Sequence, residues 1–378
     1  MELPLAFDRT PADQRTDSVG RDPSADAQQT FYDFLATARR QLPALDIVVI
    51  GGNHDSAARL DAPDPLLRAL GIRVVGGMPR GPDAARERLL VPLHDKSKAV
   101  AAWVVAVPFL RPFDLPTLAG DDALIAGVQR VYADAIAEAR ARRQPGQALI
   151  ATGHCYMTGT SLSELSERKI LGGNLHAPPL TVFPDDLAYV ALGHLHRAQS
   201  VGGRDSVRYC GSSIPLSLAE APYKHQVLVA DFDGEQLTDV REVLIPRTVQ
   251  ILRVPATGTA SLDDVTTLLS ALPDRDDTPD QERPYLEVEI TLAQPEPAMR
   301  KRVEEALAGK AARLVRLGVR HEGTGDTLAD TLATTTLSDL LPEDVFRARY
   351  KQAYQGDPPA PLLASFADLV ELVHAEVT

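Results

Sequence analysis

The sequence contains only two cysteines, Cys155 and Cys210, in 378 residues. That excludes a disulfide framework and makes a reducing cytoplasm the expected setting. Long apolar runs are also missing. The longest, Ala99 to Leu110, is too short to span a bilayer, and the N-terminus lacks the apolar core that a secretory signal needs. A cytoplasmic protein without membrane contact is therefore expected. Positive charge is in deficit, with 39 Lys and Arg against 52 Asp and Glu and a net charge of −13. Such a balance excludes a surface that coats nucleic acid through its own cations, because that mode releases counterions through many Lys and Arg contacts. A local basic track or a metal-bridged phosphate contact stays open. No glycine-rich phosphate loop followed by Lys occurs, which excludes nucleotide binding by that route.

What remains is an ordinary soluble composition, 44% hydrophobic and 24% charged, in a chain long enough for two domains. Residues 1–26 turn polar after Leu3-Pro4-Leu5-Ala6-Phe7 and show no periodicity, which reads as loop or disorder. From Ala27 to Leu42, Phe31, Phe34, Leu35, Ala38 and Leu42 fall on one helical face, with Asp26 as the N-cap. Strands are expected at Ile47–Ile50, Ile72–Val75, Leu89–Leu93, Ala99–Val107, Ala148–Ala151 and Leu187–Leu192. A long helix is expected over Ala123–Arg142, and a hairpin over His225–Val243 around Asp233-Gly234. Past Pro246 a smaller α+β unit follows. Leu286, Val288, Ile290 and Leu292 alternate there with Glu287, Glu289 and Thr291, as in a one-sided strand. Two amphipathic helices, Leu337–Tyr350 and Leu362–Val377, close the chain as core-packing or partner-binding elements.

Chemistry concentrates where strands end. Ile47-Val48-Val49-Ile50 reads as a strand buried on both faces, and it stops at Gly51-Gly52 before presenting Asn53, His54 and Asp55. An ordinary polar turn is the competing reading. The design repeats in Ala148–Ala151 before Gly153-His154, and in Leu187–Leu192 before Gly193-His194-Leu195-His196. In α/β folds the loops beyond the carboxyl ends of strands are where ligands bind. Neutral imidazoles and an amide oxygen suit divalent transition metals. Asn53, His154 and His194 form a candidate ligand set for one ion, with His196 belonging to a second. His54, directly after a ligand, is placed to protonate or polarise a leaving oxygen. Cys155 is read as a small buried residue flanking the site, and Gly211-Ser212 as a loop-shaping pair. His94, His176, His225, His321 and His374 are read as ordinary surface or core residues.

These motifs resemble the later signatures of the calcineurin-like metallophosphoesterases. The text from Ala191 to Gln199 and from Arg208 to Ser217 is similar, more narrowly, to the SbcD nuclease family. The resemblance runs from about residue 27 to the C-terminus. It implies an α/β (α+β) architecture: a two-layer β-sandwich flanked by helices over 27–246, a small DNA-capping domain over 247–325 and a C-terminal helical segment over 326–378. It further implies two Mn²⁺ ions, with Asn53, His154 and His194 on one, His196 on the other, and His54 as the catalytic histidine. The implied activity is ATP-dependent double-strand exonuclease and single-strand endonuclease cleavage of DNA, in repair, recombination and replication. The implied partners are DNA, a coiled-coil ATPase of the SbcC type and a second copy of the chain in a heterotetramer.

The match has a gap. Family members carry an early Asp-x-His pair and a Gly-Asp whose carboxylate bridges both metals. Here no His and no Gly-Asp pair precedes His54. A misplaced start, a frameshift or a natural loss would each produce this pattern, and metal affinity is expected to fall severely. A non-catalytic subunit and a small-substrate phosphodiesterase of the same superfamily are the alternatives carried forward.

Overall fold

The computed structural model describes residues 2–5, 24–120, 122–160, 177–294, 296–321, 342–354 and 356–376. The chain divides into two compact units, residues 1–247 and 248–378. In chain order the first holds β1 (Glu2–Leu5), α1 (Ala25–Gln41), β2 (Ile47–Ile50), α2 (Ala57–Asp61), α3 (Asp64–Ala69), β3 (Ile72–Val75), α4 (Pro82–Arg88), β4 (Leu90–His94), β5 (Val100–Val107) and α5 (Ala123–Arg142). It continues with β6 (Ala148–His154), β7 (Tyr189–Gly193), β8 (Gln199–Val201), β9 (Arg204–Tyr209), β10 (Gln226–Asp233) and β11 (Gln236–Leu244).

A six-stranded mixed sheet, ordered β4-β5-β6-β7-β9-β8, forms the centre of this unit. Its middle strands β5, β6, β7 and β9 run parallel. The runs Val104–Val107, Leu149–Ala151 and Tyr189–Leu192 are buried throughout, as strands covered on both faces must be. Parallel neighbours need a crossover, and α5 supplies it between β5 and β6. Val131, Tyr132, Ala135, Ile136 and Ala139 of α5 enter the core, as do Ala230 and Phe232 of β10. Each large apolar side chain so buried contributes about 1.5–3 kcal/mol.

Several expectations change. Residues 2–5, expected to be irregular, form β1 and pair antiparallel with β10. Pro4 is tolerated there because β1 lies at a sheet edge. Residues 6–23 lie outside the described residues. Ser24, not Asp26, caps α1, its Oγ accepting from Ala27 N–H at 3.3 Å. Leu35 is buried, but Phe34 and Leu42 are exposed. β2 is half-buried rather than buried on both faces. Among the described residues it pairs only with β3, in a parallel two-stranded sheet, so less of it is covered than of a central strand.

The second unit holds β12 (Ile251–Val254), α6 (Leu262–Ser270), β13 (Tyr285–Leu292), α7 (Met299–Leu307), β14 (Arg313–His321), α8 (Pro342–Ala353) and α9 (Ala360–Glu376). The three strands are parallel in sequence order. Leu286, Val288 and Ile290 share a core with Val265, Leu269 and Val303 of α6 and α7. The alternation expected of β13 is present, yet Glu287 and Glu289 are buried too. Arg316, on the neighbouring strand, lies 3.0 Å from Glu287 and 3.6 Å from Glu289, and Arg253 lies 3.7 Å from Glu287. Long arginine stems on both flanking strands thus cover the acidic face. At the end of the chain Phe346 of α8 stacks on Phe366 of α9, with centroids 4.2 Å apart. Among the described residues no helix is long and apolar enough to cross a membrane.

Candidate metal centre

Parallel strands deliver their carboxyl ends to one side. The β6–β7 register sets His154 opposite Gly193, so His194 follows at the same edge. β2 reaches that edge from its own small sheet. Gly51 N–H donates to Val75 O at 2.9 Å, and Phe109 N–H, just past β5, donates to Gly51 O at 2.8 Å. The two glycines are required by close approach. A Cβ on Gly51 would lie 2.2 Å from Gly76 O, and one on Gly52 would lie 2.7 Å from His154 Cε1. Asp55 Oδ2 then accepts from Gly52 N–H at 2.7 Å, which closes the turn carrying Asn53 and His54. The guanidinium of Arg111 donates to Asp55 O at 3.3 Å and steadies the far side of that turn. Asp55 is therefore committed to the turn itself.

Three of the expected ligands meet. His154 Nε2 faces Asn53 Oδ1 at 2.9 Å. The rings of His154 and His194 pack edge to face, centroids 5.2 Å apart, and Phe109 stands against the other side of His154 at 6.0 Å. Both imidazoles are buried. His194 adopts φ +106°, a region that side chains rarely enter and that tends to persist at functional sites. His54 lies half-buried in the turn between Asn53 and Asp55.

His196, two residues beyond His194, is held from both ends. Its carbonyl accepts from Ser212 N–H at 3.0 Å, which agrees with the loop-shaping reading of Gly211-Ser212. Its Nδ1 lies 2.7 Å from Oε1 of Glu220, a fully buried carboxylate. Sequence reasoning missed Glu220, because a lone Glu in a short, proline-bounded stretch carries no signal of the partner it meets after folding. Cys155 is tucked against Met157, with Sγ 3.7 Å from Sδ. Burial pushes its thiol up to about 12. Of the other histidines, His94 pairs with Asp46 at 2.9 Å and His225 is buried against Ser212 O. His176 and the side chains of His321 and His374 lie outside the described residues.

The sequence is 39% identical over 341 residues to the SbcD component of nuclease SbcCD from Rhodobacter capsulatus, covering 88% of this chain and 82% of that protein. The chain belongs to the SbcD family. The SbcD component from Escherichia coli K12 is 30% identical over 311 residues, covering 80% of this chain and 73% of that protein. That of Bacillus subtilis is 32% identical over 228 residues, 59% and 56% of the two chains. Residues 247–354 match the family model described as the type 5 capsule protein repressor C-terminal domain, SbcD_C.

For a member of the SbcD family the question is whether these donors fit a metal. Donors on adjacent corners of an octahedron with bonds of about 2.1 Å lie about 3 Å apart. The 2.9 Å between Asn53 Oδ1 and His154 Nε2 matches that spacing, and His194 and His196 add imidazoles of the type divalent transition ions favour. Anionic ligands are the weak point. Among the described residues no group of three or more His, Cys, Asp and Glu could hold a metal ion. Asn53, His154 and His194 thus bring together neutral oxygen and nitrogen donors of the kind divalent transition ions accept.

Proposed function

We propose that this chain serves as the nuclease subunit of an SbcCD-type complex, built on a metallophosphoesterase fold and hydrolysing DNA phosphodiester bonds with Mn²⁺. The observation that carries the reading is the meeting of Asn53, His154 and His194 at the carboxyl ends of β2, β6 and β7. Mn²⁺, when bound, would supply a polarised phosphoryl oxygen and an activated water. The protein's own groups do the rest. Asn53, His154 and His194 would hold one ion and His196 would face a second. His54, on the Gly52–Asp55 turn, would protonate or polarise the leaving oxygen. Phe109 stands edge-on to His154, ring centroids 6.0 Å apart, and would help hold its ring.

The second unit supports a macromolecular substrate, since a small phosphate ester needs no such appendage. Residues 247–325 are assigned to capping DNA, and α8–α9 to an SbcC-type coiled-coil ATPase. That partner would supply ATP binding and part of the grip on DNA, which fits the chain's own −13 charge. A heterotetramer with two copies of this chain, acting in the cytoplasm in repair, recombination and replication as an exonuclease on duplex ends and an endonuclease on single strands, completes the reading.

His54→Ala should abolish Mn²⁺-dependent cleavage of duplex DNA by the complex while the circular dichroism spectrum and partner binding stay unchanged. An unaltered cleavage rate would reject the role given to His54. The lack of a carboxylate-bearing metal cluster among the described residues favours a second reading, a catalytically impaired structural subunit. Two tightly bound Mn²⁺ per chain in a titration would sink that alternative.

A further inference from the structure

Glu220 stands out as a carboxylate with no exposure, in a short helical turn at Leu218–Glu220, 24 residues beyond its partner. A buried charge is retained only where hydrogen bonds and charge partners compensate its desolvation. Oε2 accepts from Leu216 N–H at 2.8 Å, and Oε1 lies 2.7 Å from His196 Nδ1. An ionised Glu220 could only accept, which would put the proton of this contact on the imidazole nitrogen. His196 would then be the Nδ1–H tautomer, with Nε2 on the ring edge away from Glu220. A metal-binding histidine needs that same state, oriented by an outer carboxylate.

We infer that Glu220 is a positioning residue, which locks the ring and tautomer of His196 so that Nε2 is presented to the metal. The inference rests on the metal reading proposed above and adds a residue to it. It yields a sharp substitution. In Glu220→Gln the side chain keeps its shape but has one acceptor oxygen. The Leu216 N–H can only donate, so it holds that oxygen, and the amide NH₂ turns to His196. Nδ1 must then accept, and the proton moves to Nε2, where it blocks the lone pair.

The test uses the full chain labelled with ¹⁵N-histidine, without added metal, with His196 assigned from a His196→Asn variant. Long-range ¹H–¹⁵N spectra should show a protonated Nδ1 in the wild type and a protonated Nε2 in Glu220→Gln. Binding of the second manganese, the one His196 would face, followed by calorimetric titration, should weaken by about 10–100-fold. Thermal melts check that both proteins are folded. An unchanged tautomer in folded Glu220→Gln would overturn the inference, as would a flipped tautomer with unchanged manganese affinity. If neither protein takes up manganese, the metal reading itself falls, and the nitrogen spectra still decide whether Glu220 holds His196.

Discussion

Single atoms decide most at this site, and Gly51 and Gly52 show it. Both are adjacent, both are small by necessity, and they fail differently when enlarged. In Gly51→Ala the new methyl meets a backbone oxygen at 2.2 Å, which cannot move alone. Overpacking of that kind costs about 1–3 kcal/mol. In Gly52→Ala the methyl meets the His154 ring at 2.7 Å, and a side chain can rotate away. Gly51→Ala should therefore lower the melting temperature markedly. Gly52→Ala should leave it within a few degrees and weaken manganese binding, as read by titration. Equal losses of stability would contradict this account. The sequence announced these glycines, since together they end one β-branched run. It did not announce Glu220, whose meaning depends on a histidine 24 positions away that meets it only after folding.

Elements were legible where the local pattern was strong. The helix over Ala123–Arg142 is observed as read, and the hairpin turns at Asp233 to Gln236 as its Asp-Gly pair suggests. Both signals are local and periodic. α4 went unread because Pro82 to Arg88 has almost no apolar period. The outward-facing Phe34 and Leu42 mark the converse limit. Periodicity predicts a face, but which part of it is covered depends on elements elsewhere in the chain. In the terminal helix pair α8–α9, Phe346 stacks on Phe366 at an interplanar angle of 10°. Such pairs are worth about 0.5–1.5 kcal/mol beyond their buried area. Phe366→Ala should loosen this pair, raising amide exchange in both helices and, on the proposed reading, weakening capture of the SbcC-type partner. Unchanged exchange would show that other contacts hold the helices.

At the scale of the whole molecule, the main core of residues 1–247 and the core of residues 248–378 share no residue among those described. Separate cores should unfold separately. Calorimetry of the full chain should show two transitions, and one transition with equal calorimetric and van't Hoff enthalpies would disprove it. The two units divide between Arg247 and Thr248. The backbone at His194 bears on the total. A non-glycine residue at φ +106° carries strain of about 1–3 kcal/mol, against a folding margin of about 5–15 kcal/mol. Drift toward glycine at this position would relieve that strain in any lineage that had stopped using the imidazole. An intact His194 therefore sets a cost in stability against whatever its imidazole supplies.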